Sequence, residues 1–323
     1  MMRFWMALCL CVCLSTGPLC AQTPVEANGR LSVQGARLVN EDGKPVSLRG
    51  MSLFWSQWMG QYYSDATVDW LVDDWKVNVI RIAMGVEGGG FLMQPGVEIQ
   101  KVNTVIDACI RRGIYVIVDW HDHRAVDHVE QAEAFFMDIA ARYGTAPNLI
   151  YETYNEPLDA HSWEQVKAYH ERVVLAIRSI DPDNVILLGS PSWDQDVEVA
   201  AASPLTGVEQ VAYTFHFYAS DPGHQEALRA KADAAIERGV CVFVSEWGVS
   251  ESSGNGSFDR SRTQAWVDWM ERKGLSWCNW SIADKQETSA ALMPGASPDG
   301  KWDAGMLSPS GAYIRSLLRS LNQ

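Results

Sequence analysis

Cysteine is scarce where it could build anything. Of seven cysteines, Cys9, Cys11, Cys13 and Cys20 fall in the first 21 residues. Cys109, Cys241 and Cys278 remain, each inside an apolar helical or extended pattern and none in a C-x-x-C spacing. A disulfide framework and a cysteine zinc site are therefore not expected, and the three read as small buried hydrophobes. Positive charge is also short: 26 Lys and Arg stand against 40 Asp and Glu, a net charge of −14. Such a chain repels phosphate backbones and anionic lipid, so neither nucleic acid nor a membrane is an expected partner. No apolar run is long enough to span a bilayer as a helix. The longest at the start, Phe4–Leu14, follows a positive Met1–Arg3 and precedes small and polar residues. Residues 1–21 therefore read as a signal peptide cleaved after Ala21, which implies a secreted protein, extracellular or periplasmic. A lipoprotein anchor at Cys20 fits poorly, because Leu19 stands immediately before it. Linkers rich in Pro, Ser or Gly, low-complexity tracts and short repeats are missing after the leader, so residues 22–323 are expected to form one domain, and a monomer.

What is present alternates. Extended apolar runs lie at 47–53, 79–84, 115–120, 149–154, 185–190, 211–218, 241–246 and 276–281. Between them lie stretches of helical period at 66–75, 98–112, 128–143, 162–180, about 194–202, 224–238 and 260–272, with 308–320 closing the chain. Ser162 is a start signal, and Gly113 and Gly239 are stop signals. Eight β/α repeats predict an α/β fold of the closed (β/α)8 barrel (TIM barrel) type. The competing open, doubly wound sheet would carry a glycine-rich phosphate loop after its first strand, and this chain has none. Residues 31–46 alternate around Asp42-Gly43, which predicts a short β-hairpin at the bottom of the barrel.

Two stretches carry chemistry: Tyr154-Asn-Glu-Pro and Ser245-Glu-Trp-Gly. Each sets a glutamate where an extended run gives way to a loop. In a barrel, Glu156 and Glu246 would end strands that face each other across the mouth. Paired carboxylates at about 5–5.5 Å would let one protonate a glycosidic oxygen while the other attacks the anomeric carbon. With the nucleophile ionised, its charge keeps the acid protonated.

The chain resembles glycoside hydrolase family 5, in particular its bacterial endo-β-1,4-glucanase branch. Leu48-Arg-Gly-Met-Ser, Arg81-Ile-Ala-Met, Val116-Ile-Val-Asp-Trp-His, Tyr151 to Pro157, Trp193 to Val197, Ala212 to Tyr218, Val244-Ser-Glu-Trp-Gly, Leu275 to Ser281 and Ser289 to Gly295 carry the likeness in order. The resemblance implies that Glu156 is the acid/base and Glu246 the nucleophile of a retaining enzyme acting on internal β-1,4 bonds of a glucan. It also gives roles to the neighbours. Asn155 would bond the sugar 2-hydroxyl, Arg81 would hold Glu246 ionised, and Tyr218 would donate to Glu246. His121 and His216 would line the reacting subsite, with Trp280 as its floor. Trp58 and Trp193 would be platforms on opposite sides of the cleavage point. Lys285 and Glu287, in the long 284–306 loop, would bind sugar hydroxyls. The implied partner is a β-1,4-linked polysaccharide or oligosaccharide, and no cofactor is implied. The same mechanism on mixed-linkage glucan, mannan or xylan, or a non-catalytic sugar-binding groove, would fit the same frame.

Two departures stand on one side of the cleft. Phe54 occupies a place where the branch often has histidine, and Gly85 one where an aromatic is common. Other residues have plainer readings. Glu152 shares strand parity with Glu156 and is expected inside the barrel, paired. Trp70, Trp75, Trp266 and Trp269 read as packing between helices and barrel, and Trp120 and Trp247 as support behind the site. His121-Asp-His123, with His128 nearby, has the spacing of a metal ligand pair but needs convergent ligands from other strands, so no metal is expected.

Overall fold

The computed structural model describes residues 22–322, so the expected signal peptide at 1–21 lies outside the described residues. A two-stranded antiparallel hairpin, β1 (Ser32–Gln34) and β2 (Arg37–Val39), precedes the barrel. Eight strands follow: β3 (Arg49–Leu53), β4 (Val79–Gly85), β5 (Tyr115–His121), β6 (Leu149–Glu152), β7 (Ile186–Leu188), β8 (Val211–Tyr218), β9 (Val242–Gly248) and β10 (Trp277–Ile282). They are parallel and close in sequence order, with β10 pairing both β9 and β3. Helices occupy the connections, as the alternation requires of a (β/α)8 barrel. Helix Trp163–Arg178 starts with a capping box between Ser162 and Gln165, and helix Pro95–Arg112 stops at Gly113, whose φ of 64° suits glycine.

The hairpin differs from expectation in its turn. The two-residue turn is Gly35-Ala36, with Gly35 at φ 58°. Asp42-Gly43 does reverse the chain, but beyond it only a single bridge, Val39 to Pro45, forms. The bonds on either side of that bridge are made, Asn40 N–H to the Lys44 carbonyl and Val46 N–H to the Leu38 carbonyl, each at 2.9 Å, and the pairing goes no further. The hairpin still closes the barrel bottom: Leu31 and Leu38 pack in one cluster with Leu48, Tyr115, Ile117 and Phe243 from the lower strands.

Strand parity sorts the side chains. On β5, Val116, Val118 and Trp120 pack outward with the helices, whereas Tyr115 and Ile117 join the interior cluster. Further up the same inward row stand Asp119 and His121, both buried. The interior thus passes from apolar at the bottom to charged at the top. Trp75, Trp266 and Trp269 are buried in the helix-to-barrel layer with Trp70 packed against it, and Trp120 and Trp247 are buried there too. Cys109, Cys241 and Cys278 are free and buried.

Strand β9 breaks parity. Thr214 of β8 pairs with Phe243 and His216 with Glu246, so β9 spends three residues where β8 spends two. The same slip appears against β10. This bulge in β9 lets Ser245 and Glu246 both reach into the barrel above Phe243. A regular strand would send Glu246 outward.

Candidate active site

At the top of the barrel, Arg81 is the hub. It is wholly buried and projects from β4 into a ring of acceptors. Its Nε and Nη2 donate to the two oxygens of Glu152, each at 2.9 Å. Nη1 donates to Glu246 Oε2 at 2.9 Å and Nη2 to Asn155 Oδ1 at 2.8 Å. Asp119 Oδ2 lies 2.9 Å from Nη2. Burial alone would weaken the guanidinium's hold on its proton, but the Asp119, Glu152 and Glu246 carboxylates raise its pKa well above the usual value. A buried charge is tolerable only with such partners. Glu152 is therefore an interior, paired carboxylate, as its parity predicts.

Glu246, buried, accepts from Arg81 and from the Tyr218 hydroxyl, the latter at 2.7 Å. Burial pushes its pKa up, and Arg81 and Tyr218 pull it back. Glu156 follows β6 in a left-handed conformation, φ 52°, which for a side chain of this size costs on the order of 1–3 kcal/mol. Its pKa is raised well above the carboxylate range, by burial first and then by the negative charge of Glu246 and Asp194. One oxygen of each glutamate lies within 4.8 Å of the other.

The histidines fix where protons sit. His216 Nδ1 is 3.1 Å from Glu156 Oε1, and its Nε2 is 2.9 Å from Ser245 Oγ. Ser245 donates its single hydroxyl hydrogen to Glu152 Oε1 at 3.0 Å. It must then accept from His216 Nε2–H, leaving a bare Nδ1 facing Glu156. That bond forms only if Glu156 carries the proton. Burial and Arg81 hold the His216 pKa well below its ordinary value, which keeps the ring neutral. His121, also held neutral by burial and Arg81, places Nδ1 2.6 Å from Asp119 and stacks on Trp280 at 5.4 Å.

Both arms of the cleft meet at Glu156. One is lined by Trp280, Trp58, Phe54, Lys285 and Glu287, together with Trp55 and the 252–254 loop. The other is lined by Trp193, Gln195, His216, His224 and Ser252. Trp58 is 56% exposed and Trp193 38%, so both rings are open to a ligand, on opposite sides of the glutamates. Lys285 and Glu287 pair with each other, and the lysine also sits over the Phe54 ring at 4.9 Å. Asn155 Oδ1 is held by Arg81, which leaves its NH2 as a donor on the cleft wall. All twelve residues singled out from the sequence thus line one cleft or its buried support.

The cluster of Glu156, His216 and Glu246 could offer three ligand atoms to a cation. Both nitrogens of His216 already have hydrogen-bond partners, however. His121, His123 and His128 turn to separate partners, Asp119, the Glu156 carbonyl and Asp122. The His-x-His spacing does not make a convergent ligand set.

The family model for cellulase (glycosyl hydrolase family 5) matches residues 39–286. The chain belongs to glycosyl hydrolase family 5. It is 43% identical over 302 residues to Endoglucanase N of Pectobacterium atrosepticum, covering 92% of this chain and 67% of that protein. It is 46% identical over 283 residues to Endoglucanase A of Evansella cellulosilytica, covering 86% of this chain and 57% of that protein. The chain therefore spans roughly three fifths to two thirds of such curated relatives. Among solved structures, one from Cytophaga hutchinsonii superposes with a TM-score of 0.91 at 48% identity, covering 93% of this chain and 98% of that one. The catalytic domain of Thermobifida fusca endoglucanase Cel5A superposes with a TM-score of 0.88 at 34% identity, covering 92% and 100%. A variant of that domain was solved in complex with cellotetraose.

Within this family 5 frame, the sequence reading overlooked three residues. Trp55 stands edge-on to His121 at 4.0 Å and beside Trp58 at 5.1 Å. With Phe54, Trp58, Trp280 and His121 it closes a ring of aromatic contacts. Three aromatics among five residues, Phe54, Trp55 and Trp58, were the available signal. Gln57 fills the space beside Gly85, its Oε1 lying 1.8 Å from where a Cβ would be. Asp194, buried beside Glu156, carried no local signal, because only the fold brings it there.

Proposed function

We propose that this chain is a retaining endo-β-1,4-glucanase. Glu246 attacks the anomeric carbon while Glu156 gives its proton to the departing glycosidic oxygen. The C–O bond breaks, and a covalent glycosyl-Glu246 ester forms. Glu156, now ionised, takes a proton from water, and the resulting hydroxide displaces Glu246 with restored anomeric configuration.

The observation that carries the reading is the Glu156–Glu246 pair: oxygens within 4.8 Å, with Arg81 and Tyr218 donating to one of the two only. That spacing supports direct attack, because an inverting enzyme needs roughly 6.5–9.5 Å to admit water. The asymmetry supports the assignment of roles. Glu246 has two donors that stabilise its charge, whereas Glu156 faces negative charge and a bare histidine nitrogen. The open cleft with aromatic walls on both sides of the pair supports an internal cut in a chain. Sugar C–H faces pack well on such rings, with Trp280 as the floor and Trp58 and Trp193 as platforms. Asn155 donates to the 2-hydroxyl, His121 lines the reacting subsite, and Lys285 with Glu287 contacts hydroxyls farther along. The cellotetraose complex of a relative favours a cellulose-type glucan over mannan or xylan.

The leader reading makes the protein secreted, and no helix among the described residues is long and apolar enough to cross a membrane. The test uses carboxymethylcellulose, following viscosity and reducing ends together, with proton NMR of the first anomer released. A fast viscosity fall with few new ends and a β-anomeric product is expected. Hydrolysis of mannan or xylan alone would change the substrate, and an α-anomer would overturn the retaining mechanism.

A further inference from the structure

Asp194 is buried on the loop after β7, outside the pair that does the chemistry, and its carboxylate is fully employed. Oδ2 accepts the backbone N–H of Glu156 at 2.9 Å. Oδ1 accepts from the Ser190 N–H and the Thr214 hydroxyl. Two backbones therefore converge on one side chain, and both are in unusual conformations. Glu156 is left-handed at φ 52°, and Ser192, Trp193 and Asp194 form a left-handed run at φ 57°, 57° and 59°. None of these is glycine, so each conformation needs an outside hold. A second clip joins the same loops: the Trp193 N–H donates to the Pro157 carbonyl at 2.9 Å. Asp194 Oδ2 also lies 3.4 Å from His216 Nδ1, the nitrogen that faces the Glu156 carboxyl.

We infer that Asp194 is a positioning residue that aims the Glu156 proton at the leaving oxygen and links that aim to the cleft wall carrying Trp193. This rests on the glycosidase reading above. Asp194 touches no substrate. It fixes the backbone from which the Glu156 carboxyl projects, and Trp193 is its direct chain neighbour. Without the clip, the Glu156 backbone is free to relax toward ordinary φ, which moves the carboxyl away from the line between His216 and the glycosidic oxygen. Attack by Glu246, held by Arg81 and Tyr218 on other strands, is unaffected.

The distinguishing readout is leaving-group dependence. A 2,4-dinitrophenyl group leaves β-cellobioside without a proton, whereas a sugar hydroxyl leaving cellotetraose needs one. For Asp194→Asn, which keeps the shape but sets an NH2 against donors, and for Asp194→Ala, kcat/KM is measured on both substrates beside wild type. We expect a fall of about 100-fold on cellotetraose and of less than about threefold on the dinitrophenyl substrate, since general-acid assistance contributes on the order of 10²–10⁴. Thr214→Val, which removes one donor to Oδ1 and leaves the Glu156 contact, serves as the mild control, with an expected change of less than about threefold on either substrate. Retained turnover of the dinitrophenyl substrate shows that the variants are folded. Equal falls on both substrates, or none on either, would overturn the inference. A wild type that cleaves neither substrate would overturn the glycosidase reading and this inference with it.

Discussion

The two ends of the barrel are built from the same strands and solve opposite problems. At the bottom, Leu31, Leu38, Leu48, Ile117 and Phe243 fill the interior with hydrocarbon, and the hairpin seals it. At the top, Arg81, Asp119, Glu152 and Glu246 are buried with almost no hydrocarbon between them. The bottom gains free energy from burial alone, about 25 cal/mol for each Å² of apolar surface. The top loses solvation with every charge it buries and recovers it only through matched partners. Stability belongs to one end and chemistry to the other. Substitutions at the bottom should therefore change how well the protein folds, and those at the top how fast it works.

The most severe way to probe the contrast is Glu246→Ala. Activity on carboxymethylcellulose should fall by about 10⁴-fold or more, roughly 5 kcal/mol in the transition state, with the circular dichroism spectrum unchanged. Arg81→Met is expected to break the division itself. Three carboxylates would lose their shared cation, so unfolding in guanidinium should show a loss of about 3–5 kcal/mol together with lost activity. Leu38→Ala at the bottom should cost about 2–3 kcal/mol in the same experiment and leave kcat unchanged. Trp58→Ala, on an exposed ring, should raise KM on cellotetraose several-fold, about 1 kcal/mol, without moving the melting temperature. The finest probe is Tyr218→Phe. Burial raises the pKa of Glu246 and the tyrosine hydroxyl lowers it, so loss of the hydroxyl raises it further. Glu246 must be ionised to attack, so the acid limb of kcat/KM should shift to higher pH. The alkaline limb follows the proton on Glu156, whose pKa burial holds far above the carboxylate range, and it should stay in place.

Alternation along the chain was enough to place all eight barrel strands, because a buried parallel strand must be apolar on both faces and a crossover helix must show a stripe. β6 and β7 end earlier than their apolar runs, at Glu152 and Leu188, because the residues beyond turn out of the ladder toward the cleft. The hairpin's existence was legible and its turn was not: Asp42-Gly43 is the stronger local signal, yet the paired strands form around Gly35-Ala36. Glu156 and Glu246 were visible as glutamates at strand ends. The bulge that aims Glu246 inward was not, since it is defined by the neighbouring strands. Asp194 and Gln57 were illegible for the same reason. Their meaning lies in Glu156 and Gly85, which are distant in sequence or silent without coordinates. Trp55 was readable as an aromatic beside Phe54, but its partner His121 lies on another strand.

The closed bottom of the barrel is also where the molecule can be attached to anything else. Residue 25 bonds to Gly113, just below β5, and Asn322 bonds to the carbonyls of Arg49 and Lys76, at the lower ends of β3 and β4. Both ends of the described chain therefore leave from the face opposite the cleft. A surface, a tag or a fused module joined at either end would hold the barrel with its mouth pointing away from the anchor. Two such joints at once would tether it like a cup by its base, free to meet a polymer too large to diffuse.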